Sequence, residues 1–284
     1  MSMFEVIFLF VLALIFIIFA VVQDLRSREI ANWLNWSLII FALGFRFFYS
    51  LFSGEWNFVL QGIIGFGIFF VLGNALYYSH VFAGGDAKLM IALGAILPFS
   101  NNLFANLKIF ILFFFLFLIV GAIYGLIMTV IFSFRKWRDF RKEFFKRFRK
   151  GIWLICGGLV FSIGVLCLSF MDAIFIWLGL ILFVLPYLYF YSKAVDEVCM
   201  VREVSVLQLT EGDWLYEDVK VKGKVIKANW DGLDIKDIEL LKKEKKKVLV
   251  RYGIQFAPVF LISFLILGIG VFFNLIEKIF WFFI

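Results

Sequence analysis

The chain is poor in the residues that build metal centres and covalent cross-links. Its 284 residues hold three cysteines and one histidine. Cys156, Cys167 and Cys199 are widely spaced, two lie inside apolar runs, and no CxxC pair occurs, so neither a zinc site nor a disulfide framework is expected. With His80 as the one histidine, a histidine-based metal centre is not expected either. The first apolar run lacks a basic segment before it, carrying only Glu5, and has no small-residue cleavage site ahead of Gln23. It is read as a retained span, not a secretory signal. No internal repeat and no low-complexity linker breaks the chain.

What the chain has in excess is apolar surface: 64% hydrophobic residues, 21% aromatic, and a mean hydropathy of +1.00. No soluble domain could hide that much, so the class is a multi-span membrane protein. A spanning helix needs about 20 apolar residues. On that measure about eight spans are expected, six at the fewest, over 3–23, 33–51, 58–79, 87–98, 107–133, 151–170, 173–191 and 254–275. The fourth is short, so it begins within the glycine turn before it or borrows residues on either side. The expected architecture is an all-α polytopic bundle over 1–191, a small cytoplasmic α+β insert over 192–253 and a C-terminal membrane helix within 254–284.

A net charge of +7 could suggest nucleic acid, but the basic residues fall in a few blocks between apolar runs, which writes topology and not DNA binding. With the N-terminus outside, segments 24–32, 80–88, 134–150 and 192–253 lie in the cytoplasm and hold 25 of the 28 Lys and Arg. Arg46, Lys108 and Lys278 fall at outer ends. Block 134–150 alternates basic and aromatic residues at near-helical spacing, as an amphipathic helix on an anionic leaflet would; plain positive-inside anchoring is the simpler reading. Within the insert, Val204–Leu209 and Asp218–Lys222 alternate as two short strands around Gly212-Asp213, and Asp234–Lys243 reads as a capped amphipathic helix.

Two acids stand apart from this pattern. Asp24 follows the first apolar run in Gln23-Asp24-Leu25-Arg26-Ser27-Arg28, and Asp86 follows Gly84-Gly85 between two later runs. An ionised carboxylate beside hydrocarbon costs several kcal/mol unless a partner or a wet cavity stabilises it. Two of them at one mouth suit hydrolysis: the ionised acid takes a proton from water while the protonated one polarises a carbonyl. Glycines beside one acid would let an extended substrate backbone approach. Other roles compete. Asp24 could pair with Arg26 or Arg28, Asp86 could cap the fourth helix, or both could line a transport or proton path. His80 is read as a headgroup-level residue. The residues alone do not choose.

The run Asp24-Leu-Arg-Ser-Arg-Glu-Ile-Ala-Asn-Trp33, together with Gly84-Gly85-Asp86-Ala-Lys88, resembles the type IV prepilin peptidase family of GxGD aspartic proteases, most of all its archaeal preflagellin (archaellin) peptidase branch. The resemblance covers roughly the first hundred residues. It implies a polytopic membrane protease, without metal or other cofactor, that removes the short basic leader of prepilins and preflagellins at the cytoplasmic face of the cell membrane. Precursor proteins and membrane lipid would be its partners, and nucleic acid would not. By position, Asp24 and Asp86 match the catalytic aspartates, and Gly84 and Gly85 the turn before the second. Lys88 matches a lysine that could orient that acid or lower its pKa, and Asn32 matches the asparagine of an Ile-Pro-Asn motif, with Arg26 in support beside Asp24. Two positions depart. Ala83 stands at the first glycine of GxGD, where its methyl narrows the approach, and Ala31 stands where proline is common. The cysteine-rich segment of bacterial members is missing, so no N-methyltransferase activity is implied. A presenilin-like enzyme is disfavoured, because Gln23-Asp24 replaces the Tyr-Asp motif and no Pro-Ala-Leu follows.

Overall fold

The computed structural model describes residues 3–221, 224–229, 232–244 and 247–273. Lys222, the last two residues of the expected final span and Lys278 lie outside the described residues. The chain divides into two compact units, residues 1–125 with 255–284, and residues 126–254.

The first unit is built on α1 (Met3–Ser27), α2 (Asn32–Ser53), α3 (Trp56–Tyr78), α4 (Gly84–Gly94), the first two thirds of α5 (Leu103–Arg135) and α10 (Ala257–Phe272). Helix α1 shows how the sequence sorts lipid from core. Leu9, Ala13, Ile17, Ala20 and Asp24 recur every three or four residues and are buried, whereas Phe4, Val11, Ile15 and Phe19 between them are exposed. That spacing is one face of an α-helix. Asp24 continues the inner stripe, and this is why it points into the bundle.

Among the described residues six helices are long and apolar enough to cross a membrane: α1, α2, α3, α5, Ile152–Phe170 and Ile174–Cys199. The remaining two of the eight expected spans are shorter, Gly84–Gly94 and Ala257–Phe272. At about 1.5 Å per residue, the 11 residues of α4 reach about half of a ~30 Å hydrocarbon core. They suffice because nothing around them is lipid. Leu89, Met90, Ala92, Leu93, Ala95, Ile96 and Leu97 are all fully buried. The chain leaves the helix after Gly94 and continues inside the unit, where Arg46 of α2 takes its loose carbonyls. The guanidinium donates to Ala95 O at 2.9 Å, Ile96 O at 3.1 Å, Pro98 O at 2.7 Å and, on α3, Phe58 O at 3.0 Å. Irregular backbone at membrane depth is tolerated where protein buries it and supplies its hydrogen bonds. One end of the segment thus lies beside the start of α2, through Asn35 and Gly85, and the other beside the start of α3, through Asn57 and Asn101.

Helices α3 and α4 meet through glycines. A Cβ on Gly94 would stand 2.6 Å from the carbonyl oxygen of Gly65, and one on Gly73 would stand 2.6 Å from Ile91 Cγ1. Close backbone approach through small residues is how membrane helices pack. Gly94→Ala is therefore expected to destabilise the fold by about 2 kcal/mol through overpacking, seen as a lower midpoint of thermal unfolding in detergent.

The second unit takes the end of α5, then α6 (Trp137–Lys150), α7 (Ile152–Leu166, prolonged by one 3-10 turn to Phe170) and α8 (Ile174–Cys199). Helix α6 is amphipathic as expected. Its inner aromatics are engaged within the protein, with Phe140 buried against Phe144 and the Tyr191 ring of α8. The polar part carries β1 (Val201–Ser205), β2 (Trp214–Leu215), β3 (Val219–Val221), β4 (Lys224–Ile226), α9 (Ile235–Glu244) and β5 (Lys247–Arg251). An antiparallel sheet of order β1-β5-β2 pairs Val201 with Arg251 and Leu215 with Val250, and β3 and β4 form a hairpin. The first expected strand ends early. Ser205 Oγ accepts from Leu207 N at 3.4 Å, and residues 206–208 turn into a 3-10 helix that buries Val206.

Candidate active site

The two acids arise from separate elements of the first unit. Asp24 ends the buried stripe of α1 and is 6% exposed. The opening of α10 clasps this last turn. Asp24 Oδ2 accepts the Ala257 N–H at 2.9 Å, and Gln255 Nε2 donates at 3.2 Å to each of the Asp24 and Leu25 carbonyls. The Asp24 carbonyl also accepts from Arg28 N at 2.9 Å, and the Leu25 carbonyl is among the last four of the helix, which need partners from outside it. Arg28 lies one turn beyond Asp24 and its charge reaches the carboxylate. Arg26, two residues on, is exposed, since positions i and i+2 do not share a helix face.

Asp86 is the third residue of α4, whose N-cap is Ala83 with no side-chain cap bond. The capping role open to Asp86 in the sequence is therefore not taken. The carboxylate is partly buried and makes no hydrogen bond to a described residue. Asp86 and Asp24 lie close enough for their charges to act on one another. So the fold brings into one electrostatic neighbourhood two acids 62 residues apart in sequence.

The loop between α1 and α2 forms the wall of the site. Ala31 has φ −61° and ψ 135°, a backbone that proline would adopt, so the departure from proline leaves the geometry in place. It also leaves an N–H, which donates to Gln23 Oε1 at 3.0 Å. Ala83 has φ −69° and ψ 158°, an extended backbone that does not need glycine. Gly85 does face a neighbour. A Cβ there would stand 3.2 Å from Ile30 Cβ and 3.4 Å from Ile30 N, so its missing side chain lets this loop, part of the chain itself, approach. A Cβ on Gly84 would only touch the Tyr77 ring at 3.7 Å. Lys88 turns away from Asp86 and donates to Asn32 Oδ1 at 2.6 Å, again because i and i+2 diverge on a helix. It ties α4 to the start of α2.

Three contributors were not read from the sequence. Asn35 is buried, donates to Gly85 O at 3.4 Å and leaves its Oδ1 unbonded. Gln255 and the Ala257 amide come from the far end of the chain. Asn35 had a signal, a second asparagine one turn after Asn32 in an apolar run. Gln255 had a weaker one, a lone polar residue against a membrane helix.

Residues 10–126, which include both aspartates, match the type IV leader peptidase family. The chain is 37% identical over 92 residues to a preflagellin peptidase of Methanocaldococcus jannaschii, a stretch covering 32% of this chain and 39% of that one. To a preflagellin peptidase of Methanococcus maripaludis it is 38% identical over 82 residues, covering 29% and 35%. To that of Methanococcus voltae it is 27% identical over 89 residues, covering 31% and 38%. The chain thus spans less than two fifths of the length of these curated relatives. No solved structure matches it. Through residues 10–126, the stretch that carries both Asp24 and Asp86, this chain is therefore similar to the type IV leader peptidase family.

Proposed function

We propose that the protein is an aspartic endopeptidase of the cell membrane that removes the short N-terminal leader of preflagellin-like or prepilin-like precursors at the cytoplasmic face. The observation that carries this reading is the juxtaposition of Asp24 and Asp86: one carboxylate is anchored by a main-chain amide, and the other lacks any hydrogen-bonded partner among the described residues. Such a pair shares one proton, so that one acid draws a proton from water while the other polarises the scissile carbonyl. The orientation rests on the positive-inside pattern of the sequence, in which the segments expected in the cytoplasm hold 25 of the 28 Lys and Arg and include both acids. The exposed Trp137, Arg138, Arg141 and Lys142 of α6 would rest on anionic lipid. Incubating membranes that contain the protein with candidate precursors, and weighing the released peptide by mass spectrometry, tests the reading.

The pH dependence carries a signature. The pair works with one proton between its two acids, and that proton must be present for the carbonyl to be polarised. Activity is expected to fall on both sides of an optimum, as acid protonates the base and as alkali removes the shared proton. A kcat/KM profile over pH 4 to 9 checks it.

A further inference from the structure

We infer that the start of α10, through the Ala257 amide and the Gln255 side chain, holds Asp24 as the ionised member of the pair and so fixes it as the base that accepts the proton of water. This rests on the reading of Asp24 and Asp86 as a hydrolytic pair and goes beyond it, since the pair by itself does not say which acid does which.

The two carboxylates are held differently. Asp24 Oδ2 accepts from the first amide of α10 at 2.9 Å, in a buried contact. The free N–H groups and dipole of a helix N-terminus favour negative charge. A hydrogen bond to the charged form of an acid lowers the free energy of that form alone. Gln255 adds no donor to the carboxylate itself. It pins the Asp24 and Leu25 carbonyls at 3.2 Å each, which keeps the last turn of α1 in register with the amide. Gln255 is thus a positioning residue. Asp86 receives no such donor. The charged or titratable groups around Asp24 are Arg28 on α1, Asp86 on α4 and Tyr124 on α5. Of these, Arg28 is the cation and attracts a negative charge on Asp24. The segment Gln255–Ala257 contributes no ionisable side chain, so its influence comes only through hydrogen bonds.

Two variants of the full chain in membranes test this. Ala257→Pro deletes the amide hydrogen at the first helical position, and because proline disfavours the αR backbone that Phe256 has before it, the folded amount is measured alongside. Gln255→Met keeps the length of the side chain and removes its donor. Measured on a precursor that the wild type cleaves, Ala257→Pro is expected to move the acid limb of kcat/KM upward by about one pH unit, and so to lower kcat by up to about tenfold at pH values below the limb, with KM changed less than twofold. Gln255→Met should move the limb in the same direction by about half as much. A purely structural role would lower the amount of folded protein and leave the limb where it was. The inference is overturned if properly accumulated Gln255→Met protein, and Ala257→Pro protein where it folds, keep the wild-type acid limb. That result leaves the hydrolytic reading intact as long as Asp24→Asn is inactive, whereas an active Asp24→Asn protein removes the reading itself.

Discussion

Asp86→Asn protein is expected to accumulate in membranes as well as the wild type and to release leader peptide at least about a thousand times more slowly. General acid–base groups contribute factors of about 10² to 10⁴, and members of one catalytic unit fail together when either is removed. The amide has the size of the acid but no proton to exchange. Folding should not suffer, because the carboxyl has no hydrogen bond to a described residue to lose. Asn removes a group that would otherwise become charged in a poorly solvated place. The same replacement at Asp24 should be as damaging to cleavage, and here an amide oxygen can still accept from Ala257 N. Quantifying the freed leader by mass spectrometry against the amount of membrane-inserted protein separates lost chemistry from lost protein. Full activity in either variant ends the assignment. Thiol labelling of cysteines placed beside each acid gives an independent check: both must react from the cytoplasmic side.

Much of this site was legible because the acids interrupt hydrophobic patterns. Asp24 falls on the inner stripe of α1 one turn after Ala20, and Asp86 falls where two glycines end a loop. What was not legible depended on partners remote in sequence. Gln255 meets Asp24 across more than two hundred residues, and no local period announces such a pair. A count of apolar residues also treats every run as facing lipid, so it could not show that α4 is half a span enclosed by protein. In the polar region the alternation of Val204–Leu209 was real, but the Ser205 hydroxyl offered the backbone a competing hydrogen bond and cut the strand at Ser205. Strand β5 was missed for another reason. Its Val-Leu-Val core is short and follows a run of lysines, and what makes it a strand is its place between β1 and β2. The role of Lys88 likewise turned on helical geometry: two residues from Asp86 it reaches Asn32 instead, and it braces the loop beside the site without neutralising the acid.

Arg46 shows most clearly how a residue placed at an outer helix end comes to govern a site at the other end. It is fully buried among the described residues with no carboxylate in an ion pair with it. Its charge is met by four main-chain carbonyls and by the Phe58 ring, 4.6 Å from the guanidinium carbon. The planar fork is what permits this. Three of its nitrogens address carbonyls on two elements at once, which the single ammonium of lysine cannot do in the same geometry. Three of those carbonyls belong to the non-helical stretch after α4, and without a donor each would be an unsatisfied group in a place water does not reach. Arg46→Met should therefore destabilise the protein by roughly 3–5 kcal/mol, the range for removing one partner of a buried charged network. For a protein of this size that corresponds to a fall of about 10 °C or more in Tm, measurable by intrinsic fluorescence in detergent. Arg46→Lys should recover only part of it. The stretch after α4 is also the tether that fixes how far α4 reaches toward Asp24. Releasing it lets Asp86 drift, and cleavage by Arg46→Met protein should fall even at temperatures where the variant remains folded. Unchanged Tm and unchanged cleavage in Arg46→Met would mean that the exit from α4 finds its hydrogen bonds elsewhere, and that the short helix does not depend on this arginine.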